Sequence, residues 1–226
     1  MENGSRLPGI LRMLIHILVL GFFCVMLSLP GFTSAAAIAS MYYVMLKLAR
    51  GEDCSPVHAY FHFFGENFVK SIPYGIAMLV IRGLLYIPLI VQRLSWDPER
   101  ALIALLTVLI LAVNLFFAWV LLLFAQFDNT VVNTVSNAVR LAMANPMQSL
   151  VIFIVNGVMP VFFVISAEVF AYLSAAWLLF GIGTAGYLSA KQAVPVFDAL
   201  IRAKGNDDPV TEVIEHAEDE TGEISL

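Results

Sequence analysis

The chain has 226 residues, of which 60% are hydrophobic and only 13% charged, and its mean hydropathy is +0.87. A water-soluble domain of this size cannot bury that much apolar surface, so the composition excludes one and points to an integral membrane protein. The formal charge of −5 misstates the body of the chain: residues 205–226 hold eight acids and no Lys or Arg, and removing eight negative charges from −5 leaves +3.

A spanning helix needs roughly 20 mostly apolar residues. Six runs qualify, at 11–29, 32–49, 72–93, 101–125, 148–166 and 169–189. The expected fold is all-α: a polytopic transmembrane helical bundle of about six spans, plus two cytoplasmic interfacial amphipathic helices. It forms a single bundle over 1–204, followed by an acidic, disordered cytoplasmic tail over 205–226. Arg6, Arg12 and the later Ala35-Ala36-Ala37 imitate a signal peptide. The apolar run before Pro30 is already long enough to span, so a first transmembrane hairpin is expected instead.

That hairpin turns at Leu29-Pro30-Gly31, a strong breaker pair. The second span is rich in small residues, from Thr33 and Ser34 through Ala39 and Ser40. Small residues let helix backbones approach closely in lipid, which predicts a span buried in the bundle. Ser55-Pro56 then opens a helix. Val57, Tyr60, Phe61, Phe64 and Phe68 fall on one side of it, and His58, His62, Glu66 and Lys70 on another. This is the expected first interfacial helix. The second follows the fourth span, with Val132, Val135, Val139 and Met143 on its apolar side, and it ends at Asn145-Pro146. Asn67 and Ser71 recur at the spacing of Asn145 and Ser149. The shared spacing fits two parallel copies of a span–surface helix–span unit.

With both termini inside, the cytoplasmic segments carry Arg6, Arg12, Lys47, Arg50, Lys70, Arg140, Lys191, Arg202 and Lys204, and the outer loops only Arg93 and Arg100. This bias orients both N-terminus and C-terminus to the cytoplasm.

Several motifs occur in order along the chain. They are the Leu29-Pro30 hairpin end, Ala37-x-x-Ser40-Met41-Tyr42-Tyr43-Val44, Lys47 to Asp53, and the F-x-x-F-x-x-N-F pattern of Phe61, Phe64, Asn67 and Phe68. Ala144-Asn145-Pro146 and Ala171 to Ala175 follow. Together these resemble the bacterial YesL family of multi-pass membrane proteins, a domain of unknown function. The resemblance implies a bacterial plasma-membrane protein whose relatives are associated with carbohydrate uptake. It implies no catalytic residues.

The candidate chemistry is one intramembrane polar cluster. Arg82 lies inside the third span, where a charge is costly and is by default a functional candidate. Counting 1.5 Å per residue brings Asn114 and Asn156 to comparable depth, roughly 10–15 Å from the cytoplasmic end. Tyr42, Tyr43 and Tyr86 join them near middle depth. Polar groups in lipid seek one another. Such a cluster serves either as a solute or ion site or as a structural hydrogen-bond network. Glu168 is expected to pair at the outer rim with Arg93 or Arg100. His58, His62 and Glu66 share a helical stripe, but no second cluster completes a metal site. The glycines from Gly181 to Gly186 read as a close-packing face rather than a nucleotide loop.

No catalytic motif, cofactor site or basic nucleic-acid patch is present, so no enzyme activity, no cofactor and no nucleic-acid partner are expected. The expected partners are the lipid bilayer and a membrane importer component. Three functional readings remain. The first and preferred is an accessory or scaffold protein linked to carbohydrate uptake. The second is a small secondary transporter or channel with a polar site near Arg82. The third is a permease-like subunit docking an ATPase through the cytoplasmic helix that ends at Pro146.

Overall fold

The structure is a computed structural model and describes residues 6–52, 54–95 and 99–206. Most of the acidic tail, from residue 207 onward, lies outside the described residues. The described residues contain helices and turns and no strand. The helices are α1 (Arg6–Ser28), α2 (Ser34–Arg50), α3 (Pro56–Leu94), α4 (Arg100–Gln126), α5 (Val131–Ala144), α6 (Pro146–Ile165), α7 (Ala167–Ala176) and α8 (Ile182–Asn206). A five-residue π turn, Trp177–Gly181, joins α7 to α8.

Among the described residues five stretches are long and apolar enough to cross a bilayer: Leu11–Ser28, Pro56–Leu94, Arg100–Gln126, Pro146–Ile165 and Glu168–Ala203. The second apolar run of the sequence folds as α2, a helix of only 17 residues. Ser166 separates the last two runs. Its hydroxyl accepts a hydrogen bond from the Val169 N–H at 3.3 Å and so caps α7.

The first interfacial element is not a separate helix. Residues 56–94 form one helix of 39 residues, about 58 Å at 1.5 Å per residue and nearly twice the thickness of a hydrocarbon core. The helix runs on through Pro73, although that residue has no N–H to give to the Val69 carbonyl. Asn67 donates its Nδ2 to the Phe63 carbonyl within the same helix at 3.2 Å. Asn145 makes the same bond, to the Leu141 carbonyl at 3.1 Å, but there the helix does break. Pro146 disfavours the α conformation at Asn145, whose backbone sits at φ −123, ψ 69.

α2 is the centre of the packing. Ala35, Ala36, Ala37, Ala39, Ser40, Met41, Tyr42, Val44, Met45 and Leu46 are all buried, as its small-residue content predicts. Tyr60 of α3 is fully buried against it and donates its hydroxyl to the Ala37 carbonyl at 3.1 Å. At the end of α2 marked by Arg50, three helices are tied together. Arg50 donates Nε and Nη2 to Asp198 Oδ1 of α8 at 3.1 and 3.0 Å, and Nη1 to Gln126 Oε1 of α4 at 2.9 Å. Lys70 and Asp128 pair at 3.1 Å between α3 and the segment after α4. The outer rim pair expected for Glu168 is not formed: among the described residues no ion pair joins it to Arg93 or Arg100. α6 and α7 meet at Ser166, so Glu168 belongs to their turn rather than to that of α3 and α4.

Glycine permits two close backbone approaches, one between helices and one between α3 and the α1–α2 turn. A Cβ on Gly183 of α8 would meet the Ile17 carbonyl oxygen of α1 at 2.2 Å, and one on Gly75 of α3 would meet the Phe32 carbonyl oxygen at 2.0 Å. Both obstacles are backbone and cannot rotate away. Gly65 has nothing within 4 Å. Gly183→Ala should therefore destabilise the bundle by about 1–3 kcal/mol through forced separation of α1 and α8. Gly65→Ala should stabilise it by about 0.5–1 kcal/mol. Thermal unfolding of both variants in the same detergent checks the contrast, and equal midpoints would contradict the packing described.

Candidate functional site

Arg82, two turns beyond the buried Tyr74 on α3, reaches into the bundle and donates Nη2 to Asn114 Oδ1 of α4 at 3.0 Å. Its guanidinium lies 5.9 Å from the centre of the Phe117 ring, within cation–π range. Its Nε is buried and has no hydrogen-bond partner. Asn156 of α6 donates Nδ2 to two acceptors, the Ile152 carbonyl at 2.8 Å and Ser189 Oγ of α8 at 3.0 Å. Ser189 is fully buried, and so is Tyr42.

These groups line two adjoining cavities. The larger, of about 690 Å³, extends from Arg82, Tyr86, Asn114 and Asn156 to Ser28, Gly31 and Ser34 at the α1–α2 turn. The smaller, of about 130 Å³, lies against Met41, Tyr42, Ala118 and Gly186. Arg82, Asn114, Asn156 and Trp177 belong to the walls of both and so mark their junction. The larger cavity thus reaches the end of α2 opposite Arg50 and its partners. A separate groove of about 490 Å³ between α6 and α7–α8 is lined almost wholly by apolar side chains.

The π turn positions Trp177. A π turn inserts one residue into the helical ladder and re-aims the side chains around it. Here the indole lies across Gly181, where a Cβ would sit 2.3 Å from the Trp177 Cδ2 atom. Proline shapes the facing wall. Pro160 of α6 has no N–H to give to the Asn156 carbonyl four residues earlier, which leaves an extra backbone acceptor at Asn156.

Of the six cluster residues expected from sequence, the structure brings five together: Arg82, Asn114, Asn156, Tyr42 and Tyr86. Tyr43 is a correction. Its ring stacks on Phe63 at 4.5 Å and carries Lys47 Nζ 4.7 Å above it. Successive helical residues point about 100° apart, so Tyr42 and Tyr43 cannot both face the cavity. Sequence reasoning missed Ser189 and Trp177. Ser189 follows Gly186 by three and Ala185 by four, on the same small-residue stripe, and that spacing was the available signal. The π turn at Trp177 had none.

The two interfacial motifs lie apart from this site. Phe61 is half-exposed and edges onto Phe23 at 5.0 Å, Phe64 and Phe68 pack together at 5.5 Å, and Asn67 bonds its own helix. The face α3 turns inward runs through Tyr60, Ser71, Tyr74 and Met78. On α5 the buried residues are Thr134 and Ala138, while Val132, Val139 and Met143 point outward and are exposed. Of the apolar stripe seen in the sequence, Val135 packs against the core and the other three residues face away from the protein.

Residues 13–89, about a third of the chain, match the family model described as "Protein of unknown function, DUF624". The match covers most of α1, all of α2 and α3 as far as Leu89, and so includes Arg82, Tyr42 and Tyr86. No curated protein and no solved structure is detectably similar to the chain.

Arg82 has no carboxylate partner among the described residues, whose ion pairs are Arg50–Asp198, His62–Glu66 and Lys70–Asp128. Replacing a buried charge by an apolar side chain of similar volume is commonly neutral or stabilising. Arg82→Met should accordingly match or exceed the parent in thermal stability. Asp198→Ala, which strips the partner from the half-buried Arg50, should lose about 1 kcal/mol. A drop for Arg82→Met larger than that for Asp198→Ala would make Arg82 a structural residue.

Proposed function

We propose that this chain is a small solute carrier of the bacterial plasma membrane with its binding site at Arg82, Asn114 and Asn156. It crosses the bilayer six times, with α2 as the short sixth span and both termini cytoplasmic. A helix of 17 residues is at the lower limit for spanning, and the positive residues cluster at the Arg50 end. The YesL resemblance fits this setting. The observation that carries the proposal is the cavity itself. A space of about 690 Å³ is within the usual range for small-molecule sites, and its polar groups converge from α3, α4 and α6. Purified protein in liposomes should take up labelled small solutes, and Arg82→Ala should abolish the uptake. Failure to move any of a panel of sugars and organic acids would overturn the carrier reading.

A docking role is favoured by a different observation. The outward stripe of Val132, Val139 and Met143 on α5 lies near a groove of about 340 Å³ between Leu141, Asn145 and Gln148 on one side and Pro195, Val196 and Leu200 on the other. This surface suits an accessory protein of a carbohydrate importer, or a permease-like subunit that docks an ATPase. Stoichiometric co-purification of an importer component or an ATPase, lost on altering residues 137–145, would favour it. Purification without such a partner would count against it.

A further inference from the structure

We propose that the Arg82 cavity binds a singly charged oxyanion, either a carboxylate or a phosphodiester. The proposal rests on the site described above but not on transport through it. Arginine holds its charge at any physiological pH, so Arg82 cannot escape burial by losing its proton. Within the bundle it has one polar partner, the neutral Asn114 amide. Among the described residues it is also the one charged side chain on the wall of either cavity. Its Nε–H is buried without an acceptor. A buried charge is normally paired or held by further hydrogen bonds, and this one makes a single hydrogen bond and leaves its Nε–H unpaired.

The vacant donors define the ligand. Guanidinium presents N–H groups in a fixed fork that matches two oxygens of one anion. With Nη2 holding Asn114 and Nε closed off from the cavity, Nη1 keeps its N–H groups for an oxyanion approaching from the cavity whose wall Arg82 forms. One positive charge balances one negative charge, so a dianionic phosphate monoester is disfavoured and a carboxylate or phosphodiester fits. Asn114 has spent its oxygen on Arg82 and keeps its amide N–H for the same anion. Asn156 is the reverse: its amide donates to Ile152 and Ser189, leaving its Oδ1 as an acceptor. The preferred ligand thus carries an anionic end at Arg82 and a hydroxyl or amine donor toward Asn156. Such chemistry occurs both in soluble hydroxy-acids and in lipid headgroups with a free hydroxyl.

The test uses full-length protein in nanodiscs of neutral phosphatidylcholine, titrated with sodium lactate and, separately, with the neutral isostere lactamide, sodium chloride holding ionic strength constant. Tryptophan emission, which includes Trp177 on the cavity wall, reports occupancy. A second arm analyses protein purified from membranes containing phosphatidylglycerol by native mass spectrometry. The expected result is a saturable response to lactate and not to lactamide, or one retained phosphatidylglycerol per chain. Either response should weaken on the order of tenfold or more in Arg82→Gln and partly return in Arg82→Lys. Saturable lactate binding identifies a soluble ligand; retained phosphatidylglycerol that lactate does not displace identifies a lipid. Equal responses to lactate and lactamide overturn the proposal without any variant, and so does the absence of both lactate binding and retained lipid. Binding without liposome uptake would remove the carrier reading and leave this site standing; uptake of a neutral sugar undiminished in Arg82→Gln would do the opposite.

Discussion

Lipid offers no hydrogen bonds, so a polar group inside a membrane bundle must find its partner within the chain. That single constraint accounts for most of what this structure does. It forces the backbone of the described residues into helices joined by short turns. It turns Ser40 and Thr107 back onto carbonyls four residues earlier and joins Trp119 to Ser149 across α4 and α6 at 3.0 Å. It also brings Asn156 to Ser189 and Arg50 to both Asp198 and Gln126. Against this background Arg82 stands out, because its charge is only partly answered by the protein.

The second organising factor is close approach. With lipid tails as apolar as leucine, helices gain from contact chiefly by packing tightly. α2 supplies alanines where a larger residue would hold its neighbours off, and Gly183 and Gly75 let backbone touch backbone. The polar site is a consequence of the same geometry. Tight packing of α1, α2 and α8 on one side leaves space beside α3 and α6, where Pro160 and the π turn at Trp177 interrupt regular packing.

The sequence made the membrane class, the helical bundle and five members of the polar cluster readable, for definite reasons. Hydropathy over a span is a sum of many residues, and Arg82 is conspicuous because a charge in such a run is rare. The burial of α2 followed from its alanines. What stayed hidden depended on details that periodicity averages out. α3 runs on through Pro73 while the chain breaks at Pro146, and two prolines that each follow a helical pattern carry no local signal of that difference. Tyr42 and Tyr43 are adjacent and chemically alike, and only the rotation of α2 decides between them. Asp198 and Gln126 lie 148 and 76 residues from Arg50, and nothing local announces their meeting. The outward turn of Val132, Val139 and Met143 on α5, with Val135 alone packed inward, reflects lipid as a competing partner for apolar side chains.

In the proposed topology the cavity bordered by Arg82 opens toward the outer face of the membrane, and Gly83 offers the most direct measurement. It lines that cavity, and a Cβ there meets nothing within 4 Å, so Gly83→Cys is tolerated sterically. In a background with Cys24→Ala and Cys54→Ala, intact cells would be treated with a membrane-impermeant thiol reagent. The account predicts modification of position 83 from outside the cell. Modification only after the cytoplasmic face is exposed, or none from either face, would contradict it.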